Sequence, residues 1–96
     1  MNQYLISALD FTDEDALRRR IEVRPLHIEM MKKLKESNNF IIGGAILNHE
    51  AKMMGSSVIV QFETDQQLSA WLAEEPYLLK KVWEKVEIKP FKVALV

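Results

Sequence analysis

The chain has 96 residues, the size of one ordinary domain, and we expect residues 1–96 to fold as a single unit. Hydrophobic residues make up 48% of the chain, which is enough for a packed core and excludes an intrinsically disordered protein. The 13 basic and 14 acidic residues leave a net charge of −1, which argues against nucleic acid or an anionic membrane as a partner. The chain has no cysteine, which excludes disulfides, thiolate metal sites and cysteine nucleophiles.

The N-terminal sequence, Met-Asn-Gln-Tyr, lacks the basic and apolar segments that are typical of a signal peptide. The longest apolar run, Phe40–Leu47, is far shorter than the roughly 20 residues of a membrane helix. We therefore expect a cytoplasmic protein without a membrane partner.

The first part of the chain predicts a strand followed by two helices. Gln3–Phe11 is rich in aliphatic and aromatic residues, as strands are. Ala16–Val23 suits a short helix, but Pro25 lacks an amide donor and disfavours the helical conformation at Arg24. A break is therefore predicted near Arg24, with Pro25 opening a second helix that ends near Ser37.

The rest of the chain predicts a hairpin, a helix and a final strand. Thr64 and Gln67 have the spacing of a capping box, which opens a helix that must end before Pro76. Pro90 restricts the last strand to a sheet edge or a bulge. The predicted elements are strands at Phe40–Leu47, Ser56–Glu63 and Trp83–Val96, a loop at His49–Met54 and a short helical piece at Tyr77–Lys81. The order β-α-β-β-α-β predicts a ferredoxin-like α+β fold, an antiparallel four-stranded sheet with helices on one face.

Two of the predicted strands are apolar on both faces. The alternating sets of the second strand are Phe40, Ile42 and Ile46 on one face and Ile41, Ala45 and Leu47 on the other. Two helices cover only one face of the sheet, which leaves an apolar patch on the opposite face. A second copy stacked sheet to sheet would bury that patch, and we expect a homodimer.

His27 is the first candidate for a functional side chain. At 100° per residue it lies at the centre of an apolar helix stripe formed by Met30, Met31 and Leu34. A histidine in this place is buried and needs a hydrogen-bond partner. It is either a core residue satisfied by that partner or a functional group.

Glu75 is a possible partner for His27. Leu68, Trp71 and Leu72 form the buried stripe of the second helix, and Glu75 continues it four residues after Trp71. Both helices are predicted to lie on the same face of the sheet, so the two side chains can approach each other. A carboxylate on one imidazole nitrogen fixes the tautomer and leaves the other nitrogen as a base. The structural alternative is a solvated glutamate at a frayed helix end.

Other chemically suggestive groups have simpler interpretations. His49 lies in a polar loop and is expected to be solvated, and the run Arg18–Arg20 is expected to form a solvated helix face. The pair Gly43–Gly44 within a strand indicates a bulge, plain packing or the close approach of a ligand. One histidine and one carboxylate are too few ligands for a metal, so we expect neither a metal nor another cofactor.

Several segments resemble the YciI-like (YCII-related) family when taken in order along nearly the whole chain. The segment Arg24-Pro25-Leu26-His27 is similar to the R-P-x-H segment of that family. The other matching segments are Gly44, Gly55-Ser56, Glu75-Pro76-Tyr77 and Ile88-Lys89-Pro90-Phe91. The family's D-P-[FY] motif has glutamate in place of aspartate here.

The resemblance implies a dimeric α+β barrel of ferredoxin-like subunits, with a histidine and an acidic residue as an acid–base pair in a cleft. The family in turn resembles muconolactone isomerase and a dehydrochlorinase that acts on chlorinated hydroxyquinols. His27 matches the family's histidine and Glu75 stands at the position of its aspartate. Arg24 and Ser56 match polar positions near the family's cleft, which implies a role in binding substrate.

The leading hypothesis is a cofactor-free enzyme that carries out isomerisation or elimination on a small molecule. His27 would be the general acid or base, Glu75 would orient it, and Arg24 would pair with an anionic group of the metabolite. The alternative is a non-catalytic dimeric module that binds a small metabolite or has only a structural role.

Overall fold

Four antiparallel strands and three helices make up the computed structural model, which describes residues 1–96. The elements in chain order are β1 (Asn2–Asp10), α1 (Ala16–Glu36), β2 (Phe40–Leu47), β3 (Met53–Phe62), α2 (Asp65–Leu72), α3 (Pro76–Leu79) and β4 (Trp83–Phe91). The strands lie in the order β2-β3-β1-β4, so β3 and β1 are central. This arrangement confirms the predicted ferredoxin-like α+β fold.

The helices cover one face of the sheet. Tyr4, Ile6 and Ala8 of β1 are buried, whereas the residues between them are only partly buried. Val58 and Val60 of β3 continue the same buried face and pack in one core with residues of α1 and α2. Because side chains alternate along a strand, the odd-numbered residues of β1 and β3 form the opposite, open face.

Helix α1 is continuous, so the predicted break near Arg24 is wrong. Pro25 lies inside the helix on its exposed side, and its missing amide leaves the carbonyl oxygen of Ile21 without its usual partner. Ile21 is exposed as well, so water can solvate that oxygen. Val23 and His27, on the two sides of Pro25, are both buried against the sheet. Their burial holds the helix together across the proline.

Helix α2 ends at Leu72, earlier than the predicted stripe requires. Thr64 caps its first turn by accepting a hydrogen bond from the amide of Gln67, as the capping-box spacing predicts. Glu75 is not on this helix: it is extended, with φ −65° and ψ 118°, and it caps α3. Pro76 accounts for the change, because a proline disfavours the helical conformation in the residue before it.

The hairpin of β2 and β3 contains an irregularity that changes which side chains share a face. Phe40 pairs with Val60, but Ile42 pairs with Ile59, so Ile41 forms a bulge. Phe40 and Ile42 therefore lie on opposite faces, and the prediction that they share one is wrong. β3 also begins earlier than predicted, at Met53.

β4 is an edge strand, and Pro90 lies within it, as its missing amide donor requires. The strand ends at Phe91, not at Val96 as predicted. Phe91 pairs with Gln3, and β1 begins at Asn2, so no strand is left to pair with the residues that follow. None of the three helices combines the length and the apolar character that a membrane crossing requires.

The open face of the sheet carries exposed apolar side chains. Ile42 is 62% exposed and Leu9 is 42% exposed. Ile59 pairs with Ile42 on one side and with Leu5 on the other, so these three side chains form one row across β2, β3 and β1, and Leu5 and Ile59 are partly exposed. An apolar band thus crosses the sheet on the side that no helix covers.

Candidate functional site

His27 lies in the middle of α1 with its side chain directed at the sheet. The residue is only 7% exposed. Its ring stacks on that of Tyr77, with centroids 4.0 Å apart and planes inclined by 12°, and Trp83 meets it edge-on at 5.9 Å. These contacts fix the orientation of the imidazole on two sides.

Glu75 lies beside His27, although not on the predicted helix. Its Oε1 is 2.7 Å from Nδ1 of His27, and the residue is fully buried. The same oxygen accepts a hydrogen bond of 3.1 Å from the amide of Tyr77. The carboxylate is therefore held by the first turn of α3 while it contacts the imidazole.

This contact determines which imidazole nitrogen is free. With Glu75 ionised and His27 neutral, Nδ1 carries the hydrogen and donates it to Oε1. Nε2 then keeps its lone pair. What the pair does chemically remains a prediction, but the arrangement suits a base held in one orientation.

A cavity of about 110 Å³ lies between α1 and the strands β2 and β3, and His27 is part of its wall. Its apolar wall is formed by Ile28, Met31, Phe40 and Val58. Arg24 also lines the cavity, is exposed and forms no ion pair within the chain. A small apolar ligand with one anionic group matches this lining.

Arg20 is a site residue that sequence reasoning missed. In the run predicted to be solvated, Arg18 is exposed and Arg19 is half-buried, but Arg20 is only 2% exposed and lines the cavity. Its Nη1 donates to both carboxylate oxygens of Asp10, at 2.8 and 2.9 Å. Burial raises the pKa of Asp10 above its ordinary value, and the hydrogen bonds and the charge of Arg20 oppose that shift.

Ser56 also lines the cavity, as its predicted role requires, but its oxygen is already engaged. Its Oγ accepts hydrogen bonds from Nη2 of Arg20 at 2.7 Å and from Nε1 of Trp83 at 3.0 Å. A hydroxyl oxygen has two lone pairs, so only the hydroxyl hydrogen is left for a ligand. Ser56 can therefore donate to a ligand but not accept from it.

Gly43 and Gly44 form the β2 side of the cavity, and only the first is tightly packed. A Cβ at Gly43 would lie 3.3 Å from the side chains of Phe40 and Val58, whereas a Cβ at Gly44 would meet nothing within 4 Å. The bulge itself lies earlier in the strand, between Phe40 and Ile42. The absence of a side chain at Gly43 thus lets this part of β2 pack closely against Phe40 and Val58 at the cavity.

The remaining candidates lie apart from the cavity. His49 is exposed in the turn between β2 and β3 and does not line the cavity. No group of three or more histidine, aspartate or glutamate side chains is arranged to hold a metal ion.

The chain is similar to known proteins over nearly its whole length. The family model of the YCII-related domain matches residues 4–92. Protein YciI of Escherichia coli is 34% identical over 95 residues, which covers 93% of this chain and 95% of that protein. An uncharacterized protein of Haemophilus influenzae is 37% identical over 95 residues, again covering 93% of this chain and 95% of the other.

Solved structures are similar at lower sequence identity. The 5-chloro-2-hydroxyhydroquinone dehydrochlorinase of Burkholderia phenoliruptrix, in complex with 2,5-dihydroxybenzoquinone, matches with a TM-score of 0.81 and 20% identity, covering 96% of this chain and 95% of that one. A dimeric ferredoxin-like protein of unknown function from Jannaschia matches with a TM-score of 0.60 and 13% identity, covering 97% of this chain and 100% of that one. At such identities the likeness establishes the fold.

Proposed function

This chain belongs to the family of YCII-related domains, as its sequence motifs predicted, and we propose that it is a cofactor-free enzyme that moves a proton on a small molecule. The observation that carries the proposal is the 2.7 Å contact between His27 and Glu75 at the wall of a cavity. Proton transfer by a positioned side chain typically accelerates a reaction by about 10²–10⁴-fold.

In the proposed reaction, Nε2 of His27 takes a proton from a carbon atom of the substrate. The imidazolium that forms is stabilised by the carboxylate of Glu75, since opposite charges attract strongly where water is excluded. In an isomerisation His27 returns the proton to another atom of the substrate. In an elimination the electron pair of the broken C–H bond forms a double bond, and the leaving group departs as an anion.

The lining of the cavity supports a small cyclic acid as the substrate class. The wall of Ile28, Met31 and Phe40 suits an apolar ring. The free guanidinium of Arg24 suits an anionic group, because its planar fork pairs with carboxylate-like oxygens. The dehydrochlorinase with the same fold was crystallised with 2,5-dihydroxybenzoquinone, a ring that carries acidic hydroxyl groups.

Hydrogen–deuterium exchange tests the proposal without knowledge of the natural substrate. The protein is incubated in D₂O with 2,5-dihydroxybenzoquinone, and loss of the ring C–H signal is followed by NMR. The ring C–H is vinylic, so exchange requires His27 to add a deuteron to the ring carbon, which gives the keto tautomer, and then to remove the original proton. We expect exchange above the background rate, and we expect His27→Gln to abolish that excess. His49→Gln is the matched control and should exchange like the wild-type protein. Exchange that persists in His27→Gln would exclude His27 as the base.

A binding module without catalysis is the alternative, and the buried hydrogen bonds around Ser56 favour it. Arg20 donates to Asp10 and to Ser56, and Trp83 donates to Ser56, as buried polar groups do in a structural network. Binding of 2,5-dihydroxybenzoquinone without exchange would support this alternative.

The open face of the sheet supports a homodimer as the working state. Ile42 and Leu9 are exposed there, and an apolar band of this kind usually marks an interface. The similar protein from Jannaschia is described as dimeric. Light scattering should report about twice the chain mass of 11.2 kDa. A monomer that persists at micromolar concentration would refute this part of the proposal.

A further inference from the structure

The hydroxyl group of Tyr77 has no hydrogen-bond partner within the chain. The residue is fully buried, lines the cavity and stacks on His27. A buried hydroxyl without a partner is costly, and native proteins rarely leave one unpaired. We infer that Tyr77 donates a hydrogen bond to an oxygen atom of the bound ligand, next to the atom whose proton His27 removes. This inference deepens the proposed function and rests on it.

Tyr77 is held in place on three sides. Its backbone amide donates to Glu75, which fixes the start of α3. Its ring lies against the imidazole of His27, at a centroid distance of 4.0 Å. The guanidinium carbon of Arg20 lies 4.8 Å from the ring centroid, within reach of a cation–π interaction. A donor fixed in this way is preorganised, so little reorganisation is needed when charge develops on the ligand.

The phenol is also in the right protonation state to donate. Burial raises the pKa of Tyr77 above its ordinary value, although the charges of Arg20 and Arg24 pull it down. The group therefore keeps its hydrogen at neutral pH and acts as a neutral donor.

Because Tyr77 donates to an oxygen beside the reacting carbon, the substrate is a carbon acid. Its acidic C–H lies next to a carbonyl or an equivalent conjugated oxygen. When Nε2 of His27 takes the proton, the electron pair of the C–H bond moves toward that oxygen. The oxygen gains negative charge, and the hydrogen bond from Tyr77 strengthens at that moment. The negative charge on the oxygen is then removed in one of two ways: a second carbon is protonated, or an anionic leaving group departs. Cyclic enones, and the keto tautomers of hydroxyquinones, fit this description when they carry an anionic group for Arg24.

Tyr77→Phe removes the hydroxyl and keeps the ring stacked on His27. The affinity for 2,5-dihydroxybenzoquinone, measured by calorimetry, should fall at least about 10-fold, as expected for the loss of a hydrogen bond to a charged group. The deuterium exchange rate of the bound compound should also fall, because the donor acts on the developing oxyanion.

Tyr4→Phe is the matched control, since Tyr4 is also buried but its hydroxyl donates to Asp65, away from the cavity. Without ligand, Tyr4→Phe should lower the melting temperature, because the carboxylate loses its donor. Tyr77→Phe should leave the melting temperature unchanged or raise it, because no partner is lost. Tyr4→Phe should bind the quinone like the wild-type protein.

The outcomes separate this inference from the proposed function. If the wild-type protein binds and exchanges the quinone and Tyr77→Phe does so equally well, the role of Tyr77 is refuted while that of His27 stands. If Tyr77→Phe destabilises the free protein as Tyr4→Phe does, the hydroxyl has a partner within the protein and the inference is wrong. If the wild-type protein neither binds nor exchanges the quinone, both proposals fall.

Discussion

Replacing Arg20 by methionine should destabilise the protein strongly. Arg20 and Asp10 form a buried ion pair, with side chains only 3% and 5% exposed. Removing one partner of a buried pair leaves an uncompensated charge, which typically costs about 3–5 kcal/mol. For a domain of this size, each kcal/mol corresponds to roughly 4–8 °C in melting temperature. Arg20→Met should therefore lower the melting temperature by at least about 12 °C.

Urea unfolding followed by tryptophan fluorescence measures this cost, because Trp71 and Trp83 are both buried in the core clusters. The matched control is Arg18→Met, which breaks only exposed ion pairs, with Asp15 and Glu22, and should have a much smaller effect. Adding Asp10→Asn to Arg20→Met should recover part of the loss, because it removes the stranded charge. An Arg20→Met protein as stable as Arg18→Met would refute the view that Arg20 is a buried, obligatory partner.

Three further predictions address charge, assembly and binding. Hydrogen bonds from Arg19 lower the pKa of Asp13 to about 2. The ionised Asp13 therefore stabilises the folded protein fully above the ordinary pKa of an aspartate, and this stabilisation is lost as the pH falls toward about 2. In acid titrations Asp13→Asn should lose less stability in this window than the wild-type protein, and an equal loss would exclude the pair with Arg19 as the cause. Ile42→Lys places a charge on the open sheet face and should convert the proposed dimer to a monomer in light scattering; an intact dimer would exclude that face as the interface. Arg24→Ala should weaken binding of 2,5-dihydroxybenzoquinone without changing the melting temperature, and unchanged affinity would remove Arg24 from the site.

Helical spacing predicted the burial of His27 because a single periodicity determines which side of a helix faces the sheet. The same spacing also contains the signal for Arg20. Arg20 lies seven residues before His27 and three before Val23, on the stripe that the structure buries. The run of three arginines concealed this signal, because adjacent charges suggest one solvated face. If the helical spacing of the buried stripe is continued toward the N-terminus without excluding charged residues, it identifies Arg20.

The position of Glu75 was predicted for a reason that proved wrong. The predicted stripe extended α2 to Glu75, but the helix ends at Leu72 and Pro76 places Glu75 in an extended conformation. The carboxylate nevertheless lies beside His27, because α3 packs against α1 and presents it from its N-cap. Helix periodicity carries no information about a side chain outside a helix, so this placement depended on tertiary packing.

The continuity of α1 through Pro25 and the bulge at Ile41 also could not be predicted from local sequence patterns. Pro25 is a helix breaker in isolation, and only the burial of Val23 and His27 explains why α1 continues through it. The bulge at Ile41 depends on how β2 pairs with β3, and strict alternation along a strand does not reveal it.

The tautomer of His27 shows directly whether Glu75 orients the imidazole as a base. Nitrogen-15 NMR of the labelled protein, at a pH where both histidines are neutral, identifies which ring nitrogen carries the hydrogen. The exposed His49 serves as the reference in the same spectrum. We expect hydrogen on Nδ1 of His27, donated to Glu75, with Nε2 unprotonated. Hydrogen on Nε2 instead would contradict this expectation, because the nitrogen proposed as the base would then have no free lone pair.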